Sequence, residues 1–215
     1  DAKADDQTRV MTPAEAAPRV TKVLARGLRV PWGIAFLPTG SALVSERDTG
    51  RVLHVHKTGG YTSAGHVAGV VSTVNQGGEG GLLGLALHPR FSSNHWLYAY
   101  LSTASDNRVV RMTYADGKIG PPHVILKGIP TALHHNGGGL LFAPDGRLFV
   151  STGDALNPAR AQDKGSRSGK ILRINDDGSV PAGNPFGNRV WTYGHRNVEG
   201  MAFGTKGRLW ATEFG

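Results

Sequence analysis

Four segments of the chain share one pattern, in which a short apolar stretch is followed by a turn rich in Pro, Gly or Asp and then by a second apolar stretch. Their anchor residues Phe36, Leu87, Phe142 and Phe203 are 51, 55 and 61 residues apart. The first period predicts four short strands, at about 34–36, 42–45, 51–56 and 67–74. Periods of this length with about four strands each are typical of β-propeller blades.

A β-sandwich also contains many short strands, but the long repeat period favours the propeller. No helical pattern of 11 or more residues occurs after the first 19 residues. The fourth period ends at Gly215, 12 residues beyond its anchor, so the chain holds about three and a half blades. Because a propeller has to close into a ring, we expect the sequence to be the N-terminal portion of a larger protein.

Residues 1–19 differ from the rest in being rich in Ala, Asp, Thr and Pro, with little apolar periodicity. We expect them to form a flexible N-terminal leader, and residues 20–215 to form a partial β-propeller, an incomplete catalytic domain. The first residue is Asp1, which is consistent with removal of a signal peptide and with a periplasmic or secreted protein.

The composition of 31 Gly, 12 Pro and no Cys among 215 residues favours many turns and excludes disulfides, thiolate metal sites and cysteine nucleophiles. No run of 18 apolar residues predicts a transmembrane helix. The net charge of +8 comes from scattered Lys and Arg residues, with no basic run of five, so nucleic acid is not expected as a partner.

The candidate chemistry lies in loops between the predicted strands. His135 and Asp154 flank the same predicted hairpin, beyond its open end, so a contact between them is expected. A carboxylate on Nδ1 would leave Nε2 as a base, although the two residues could instead cap a strand and a turn. Glu79 among glycines could be a solvated acid, and Arg196 beside Asn197 could be a structural cation.

Six stretches, taken together and in order, make the chain similar to the soluble pyrroloquinoline quinone (PQQ)-dependent glucose and aldose sugar dehydrogenases, the glucose/sorbosone dehydrogenase family. They are Val30-Pro31-Trp32-Gly33-Ile34-Ala35-Phe36, Ser45-Glu46-Arg47-Asp48-Thr49-Gly50-Arg51-Val52, Gly80-Gly81-Leu82-Leu83-Gly84-Leu85-Ala86-Leu87-His88-Pro89, His135-Asn136-Gly137-Gly138, Ser168-Gly169-Lys170-Ile171-Leu172-Arg173-Ile174-Asn175 and Tyr193-Gly194-His195-Arg196-Asn197-Val198-Glu199-Gly200-Met201-Ala202-Phe203.

The resemblance implies an all-β, six-bladed propeller of four-stranded antiparallel blades. It also implies oxidation of an aldose at C1 to a lactone, by His-assisted hydride transfer to PQQ in the presence of calcium, with electrons passed to an external acceptor. The roles it implies are a catalytic base at His135, an orienting carboxylate at Asp154, an arginine beside the quinone at Arg196, cofactor contacts at Glu79, Arg196 and Asn197, and a carbonyl ligand for calcium at Gly215.

Some residues depart from the glucose dehydrogenase branch of that family. His134 replaces an acidic residue, Glu79 replaces an amide, and the loop between Asp154 and Lys170 is shorter, which favours the bacterial aldose sugar dehydrogenase branch. Two alternatives stay open, a non-enzymatic propeller that binds ligands or proteins and a calcium-dependent lactonase. The set of His135, Asp154 and Arg196 argues against the first, and the small number of carboxylates in the Gly-rich loops argues against the second.

Overall fold

The computed structural model describes residues 19–215, so the predicted leader, apart from Arg19, lies outside the described residues. The first sheet consists of β1 (Pro31–Phe36), β2 (Ala42–Glu46), β3 (Arg51–Val55) and β4 (Tyr61–His66), antiparallel and in sequence order. Tight turns allow this order, since each strand returns directly beside the one before it.

Two further sheets and a hairpin complete the described fold. The second sheet contains β5 (Leu82–Leu87), β6 (Trp96–Ser102) and β7 (Asn107–Ala115), and the far edge of β7 pairs with the short β8 (Lys118–Ile119) and with β9 (His123–Ile129). The third sheet contains β10 (Leu140–Phe142), β11 (Leu148–Ser151), β12 (Lys170–Ile174) and β13 (Val190–Tyr193), and β14 (Val198–Phe203) pairs with β15 (Leu209–Glu213).

This order confirms the expected partial β-propeller: each predicted apolar pair forms the first two strands of a blade. The first strands of the blades are neighbours, because β1 contacts β5, β5 contacts β10 and β10 contacts β14. Gly84 in β5 donates a 3.1 Å hydrogen bond to the carbonyl of Gly138. A Cβ on Gly84 would lie 2.1 Å from that oxygen, so only glycine allows the two blades to approach this closely.

The hydrophobic core is divided among the gaps between successive blades. One cluster includes Leu43 and Leu97, a second includes Tyr98 and Leu148, and a third includes Phe149 and Val198. Each cluster therefore joins residues of neighbouring sheets, and packing between blades holds their loops at fixed positions.

The predicted fourth strand of the first blade, at about 67–74, is wrong, because β4 spans Tyr61–His66. A tight turn at Gly59 and Gly60 returns the chain directly after β3, with His56 N–H donating to the carbonyl of Gly60 at 3.0 Å. The outer strand is mostly exposed, so it lacks the apolar alternation that a sequence pattern detects.

Helical structure in the described residues is limited to a 3₁₀ turn at Val74–Gln76 and short helices at Phe91–Asn94 and Pro158–Gln162. Within residues 19–215, no helix is long and apolar enough to cross a membrane.

Candidate active site

The predicted contact between His135 and Asp154 is present. The two residues follow β9 and β11, beyond the open end of the β10–β11 hairpin, where Leu140 pairs with Val150. His135 Nδ1 lies 2.8 Å from Asp154 Oδ1, and both residues are buried. An ionised carboxylate can only accept, so this pair places the imidazole proton on Nδ1 and leaves a lone pair on Nε2.

The backbone of His135 is in the left-handed region, with φ of 60°, which is uncommon for a residue other than glycine. Its N–H donates to Glu79 Oε2 at 3.0 Å, and its carbonyl accepts from Ala155 N–H at 3.1 Å. A Cβ on Gly153 would lie 1.9 Å from that carbonyl oxygen. The His135 loop is therefore pressed against the end of β11 and held there from both sides.

Asp154 is itself positioned by its neighbours. Its Oδ1 also accepts the N–H of Leu156 at 2.9 Å, and its own N–H donates to the carbonyl of Arg196 at 2.7 Å. Ala155 and Leu156 both have left-handed backbones, with φ of 52° and 59°. This tight turn directs the chain away from Asp154 and leaves Leu156 exposed beside the pair.

A cleft of about 320 Å³ lies in front of the pair, a size within the range of small-ligand sites. Besides His135 and Asp154, it is lined by Leu156, Pro158, Ala161, Gln162, Gly194, His195 and Arg196. His135 Nε2 has no hydrogen-bond partner in the described part of the chain, so it is available to a ligand in this cleft.

A larger cleft of about 520 Å³ near the β5–β6 and β10–β11 turns is less suited to chemistry. Its His88 accepts at Nδ1 from Arg90 N–H at 3.0 Å and from Asn94 Nδ2 at 2.7 Å. The other ring nitrogen, Nε2, lies 3.3 Å from Asp176 Oδ2. Both ring nitrogens of His88 are therefore engaged by protein groups, whereas His135 has only Nδ1 engaged in this way.

Arg196 places a cation in the cleft in front of His135 and Asp154. Its exposed guanidinium donates to the carbonyl of Phe214 at 2.9 Å and lies 5.5 Å from the centre of that ring. Gly215 follows directly, and a Cβ on it would lie 3.9 Å from Arg196 Cδ. The predicted metal residue therefore lies beside the predicted arginine, at the end of β15.

Glu213 anchors the Arg196 backbone from the same strand end. Its carboxylate accepts from the N–H of Arg196 and lies 3.0 Å from His195 Nδ1, while Thr192 Oγ1 lies 2.7 Å from His195 Nε2. Although burial opposes it, the hydrogen bonds from Arg196 and His195 lower the pKa of the Glu213 carboxyl. His195 is thus a packing residue with both ring nitrogens engaged.

Glu79 lies behind the His135 loop rather than in the cleft. Besides the bond to His135 N–H, its Oε1 lies 3.3 Å from His134 Nδ1. Burial, and then the charge of Glu79, raise the pKa of Glu199 nearby. A cofactor contact by Glu79 stays a prediction, while its observed contacts are with the two histidines and their backbone.

Asn197 is buried and joins the His135 loop to the start of β14. Its Oδ1 accepts from Gly137 N–H at 2.9 Å, and its Nδ2 donates to Glu199 Oε1 at 2.9 Å. The amide is thus engaged on both sides by the protein, and its expected contact with a cofactor stays a prediction.

Part of the cleft wall is not predicted by the sequence. The residues concerned follow Asp154 closely, and this proximity was the only signal in the sequence; they are Leu156, Pro158, Ala161 and Gln162. The five predicted side chains lie at the same end of the blades, together with Gly215, because they follow or precede strands that end there.

Residues 28–215 match the family described as Glucose / Sorbosone dehydrogenase. The chain belongs to the glucose/sorbosone dehydrogenase family. The PQQ-bound aldose sugar dehydrogenase of Streptomyces coelicolor is 46% identical in sequence, with a TM-score of 0.88 over 92% of this chain and 60% of that one. This similarity confirms that the chain has the partial β-propeller fold of the PQQ dehydrogenases.

Two curated relatives also match over most of the chain. An uncharacterized protein of Synechocystis sp. is 41% identical over 88% of this chain and 52% of its own length. The quinoprotein glucose dehydrogenase B of Acinetobacter calcoaceticus is 31% identical over 90% of this chain and 48% of its own length. The chain thus spans about half the length of these two relatives.

Proposed function

We propose that the protein is a quinoprotein oxidoreductase that oxidises the C1 hydroxyl of aldose sugars to lactones, with PQQ as its cofactor and calcium as the accompanying ion. The observation that carries the proposal is the His135–Asp154 pair, whose free Nε2 shares a cleft with the guanidinium of Arg196. The names of the Streptomyces and Acinetobacter relatives support the same chemistry.

The donor set of the cleft suits such a cofactor. PQQ is a flat, polycarboxylate quinone, and the cleft offers an exposed cation at Arg196 and an apolar wall at Leu156 and Pro158. Arg196 would hold it from the cleft lining, and contacts of Glu79 and Asn197 with it stay predictions. When bound, PQQ supplies the oxidant that takes up the hydride from the sugar C1.

The chain's own residues handle the proton and the charge. Asp154 keeps the imidazole proton on Nδ1, so His135 accepts the proton of the C1 hydroxyl at Nε2. The guanidinium of Arg196 stabilises negative charge that develops on oxygen in the cleft. Loss of one hydride and one proton from the C1–OH group leaves a lactone.

Calcium enters the proposal through the carbonyl oxygen of Gly215, the type of ligand this ion prefers. Over residues 19–215, no group of three or more His, Asp or Glu side chains is arranged to hold a metal ion. In the proposal, Gly215 would contribute its backbone carbonyl to the calcium ion. The external electron acceptor and the periplasmic or secreted location stay predictions.

The test is a titration of the purified natural protein with PQQ in the presence of calcium, with several aldoses and a dye as electron acceptor. We expect dye reduction that depends on both PQQ and an aldose, and lactone as the product. Lactone hydrolysis without PQQ would indicate a lactonase. Saturable sugar binding without either reaction would indicate a binding module, and both results would contradict the proposal.

A further inference from the structure

Lys170, the first residue of β12, carries a charge behind the cleft and is fully buried. Its Nζ donates to three main-chain carbonyls, those of Arg160 at 2.7 Å, Ala161 at 2.9 Å and Ser168 at 2.7 Å. All three N–H donors of the ammonium thus have partners. A buried cation is costly unless its hydrogen bonds are satisfied, so these three bonds are the condition for its burial.

The three carbonyls belong to the segment that forms one wall of the cleft. Arg160 and Ala161 lie in the helix Pro158–Gln162, and Pro158, Ala161 and Gln162 line the cleft. This helix is only five residues long, and its N-cap residue makes no side-chain capping bond. Such a short helix is marginal by itself, so contacts from outside it have to hold it in place.

The same contacts reach the opposite wall. The carbonyl of Ala161 accepts from Gly194 N–H at 2.9 Å as well as from Lys170, and His195 N–H donates to the carbonyl of Gly169 at 3.1 Å. Gly194 and His195 directly precede Arg196 in the cleft lining. The ammonium of Lys170 and the N–H of Gly194 thus donate to the same carbonyl, that of Ala161, and Gly194 belongs to the backbone segment that carries the guanidinium of Arg196.

The backbone of Lys170 also bonds to the segment between β11 and Asp154. Its N–H donates to Thr152 Oγ1 at 2.9 Å, and its carbonyl accepts from Thr152 N–H at 2.9 Å. Ser168 Oγ donates to the carbonyl of Gly153 at 2.9 Å. Lys170 therefore contacts one wall of the cleft directly, is linked to Gly194 on the opposite wall through the shared carbonyl of Ala161, and is linked through Thr152 to the segment that leads to Asp154.

We infer that Lys170 is a positioning residue, whose ammonium holds the 158–168 segment and the Arg196 backbone at a fixed distance from the His135–Asp154 pair. An apolar side chain could fill the same volume, but the three carbonyls would lose a buried donor. The inference concerns the geometry of the cleft in the protein itself. Only its kinetic arm rests on the proposed dehydrogenase function.

Hydrogen exchange of the natural protein and of Lys170→Met tests the geometry without any ligand. In Lys170→Met we expect the amides of Gly194 and His195, which join the two walls, to exchange about ten- to a hundredfold faster, since the segment that accepts their hydrogen bonds loses the charged donor that organises it. Amides in the first blade should keep their rates. Lys118→Met is the control, because Lys118 Nζ donates to a single carbonyl, that of Ser63, on an exposed surface of another blade.

The kinetic arm uses the PQQ-loaded protein. We expect kcat of Lys170→Met to fall by about ten- to a hundredfold, because small displacements of reacting groups are costly. Leu172→Ala serves as a second control, since Leu172 is fully buried in the core and does not contact the cleft. That variant should lower the melting temperature and leave kcat per folded molecule unchanged. If the wild type also failed to oxidise sugars, that result would contradict only the proposed function. The exchange experiment would still decide the role of Lys170.

Unchanged exchange at Gly194 and His195 in Lys170→Met would overturn the inference. Lys170→Gln is the second variant, since its amide retains two N–H donors and should give an intermediate effect. If neither variant folds, exchange in the wild type decides. The inference requires the 158–169 and 193–196 amides to open together as one unit, and independent opening of the two segments would refute it.

Discussion

The carboxylate of Glu79 accepts a 3.0 Å hydrogen bond from the backbone N–H of His135, a residue 56 positions later in the chain. The bond reaches His135, whose Nε2 has no partner in the described part of the chain and whose backbone is left-handed. Glu79 thus stabilises a backbone conformation that a histidine rarely adopts. An acid in a glycine-rich loop supports the site without entering the cleft.

Two substitutions of Glu79 distinguish the contribution of its hydrogen bond to the His135 N–H from the contribution of its charge. Glu79→Gln keeps an acceptor oxygen for the His135 N–H, whereas Glu79→Ala removes it. We expect Glu79→Ala to lower the free energy of unfolding by about 1 kcal/mol and Glu79→Gln to lower it much less. Urea unfolding of both variants measures this difference. Equal losses in the two variants would show that the charge of Glu79, and not the hydrogen bond, stabilises the loop.

His135 is expected to be the base. His135→Gln retains a polar side chain of similar size but cannot accept the proton usefully, so kcat should fall by about 10²–10⁴ while PQQ binding survives. His134→Gln is the matched control, because His134 is the adjacent imidazole and contacts Glu79 instead of Asp154. Steady-state kinetics and PQQ titration of both variants test this. If His134→Gln abolished turnover and His135→Gln stayed active, the assignment would be off by one residue.

Asp154→Asn disturbs the tautomer and orientation of His135 without removing the imidazole. We expect a fall in kcat that is smaller than in His135→Gln, with little change in KM. Steady-state kinetics of Asp154→Asn beside His135→Gln measure the two losses. A variant with the same kcat as the wild type would assign Asp154 to a purely structural role.

The pKa of Glu199 is raised and that of Glu213 is lowered, so the two carboxyl groups should have opposite effects on how stability depends on pH. Burial and the charge of Glu79 raise the pKa of Glu199 above its ordinary value of 4.5, so folding is penalised as pH rises through that pKa. Glu199→Gln should therefore unfold at a higher temperature than the wild type at pH 7, and the gap should close near pH 4. Its amide oxygen can still accept from Asn197.

Glu213→Gln is the control of opposite sign. The pKa of Glu213 is lowered, so its ionised form stabilises the fold above about pH 4.5, and this contribution is lost as pH falls through the lowered pKa. Glu213→Gln should therefore unfold at a lower temperature at pH 7. Thermal unfolding from pH 3 to pH 8 measures both variants, and a shift of the same sign in both at pH 7 would contradict these assignments.

Gly153→Ala tests how closely the His135 loop packs on β11. The added Cβ would lie 1.9 Å from the carbonyl of His135, so the loop has to move, and we expect a loss of about 1–3 kcal/mol in unfolding free energy together with lower activity. Gly120→Ala is the control, because its Cβ would meet Thr113 at an ordinary contact distance of 3.4 Å. Similar stability of both variants would show that the approach is looser than the structure indicates.

The sequence by itself determined those features that depend on neighbouring stretches of chain. The repeated pair of apolar strands predicts the blades, because the turn between them, such as that at Pro144–Arg147, is encoded locally. The His135–Asp154 contact could be predicted for the same reason, since both residues flank one hairpin and its register follows from its turn. The mostly exposed strand β4 was misplaced because it carries no apolar alternation.

Only the tertiary structure decided which distant residues support the site. Glu79, Lys170 and Asn197 act on the His135 loop or the cleft walls from other blades or other strands, and their partners depend on how the sheets pack. The motif containing Lys170 was visible in the sequence, yet nothing in its composition shows that the ammonium is buried against three carbonyls. A single sequence records the residue type, whereas burial and hydrogen bonding arise when segments far apart in the chain pack together.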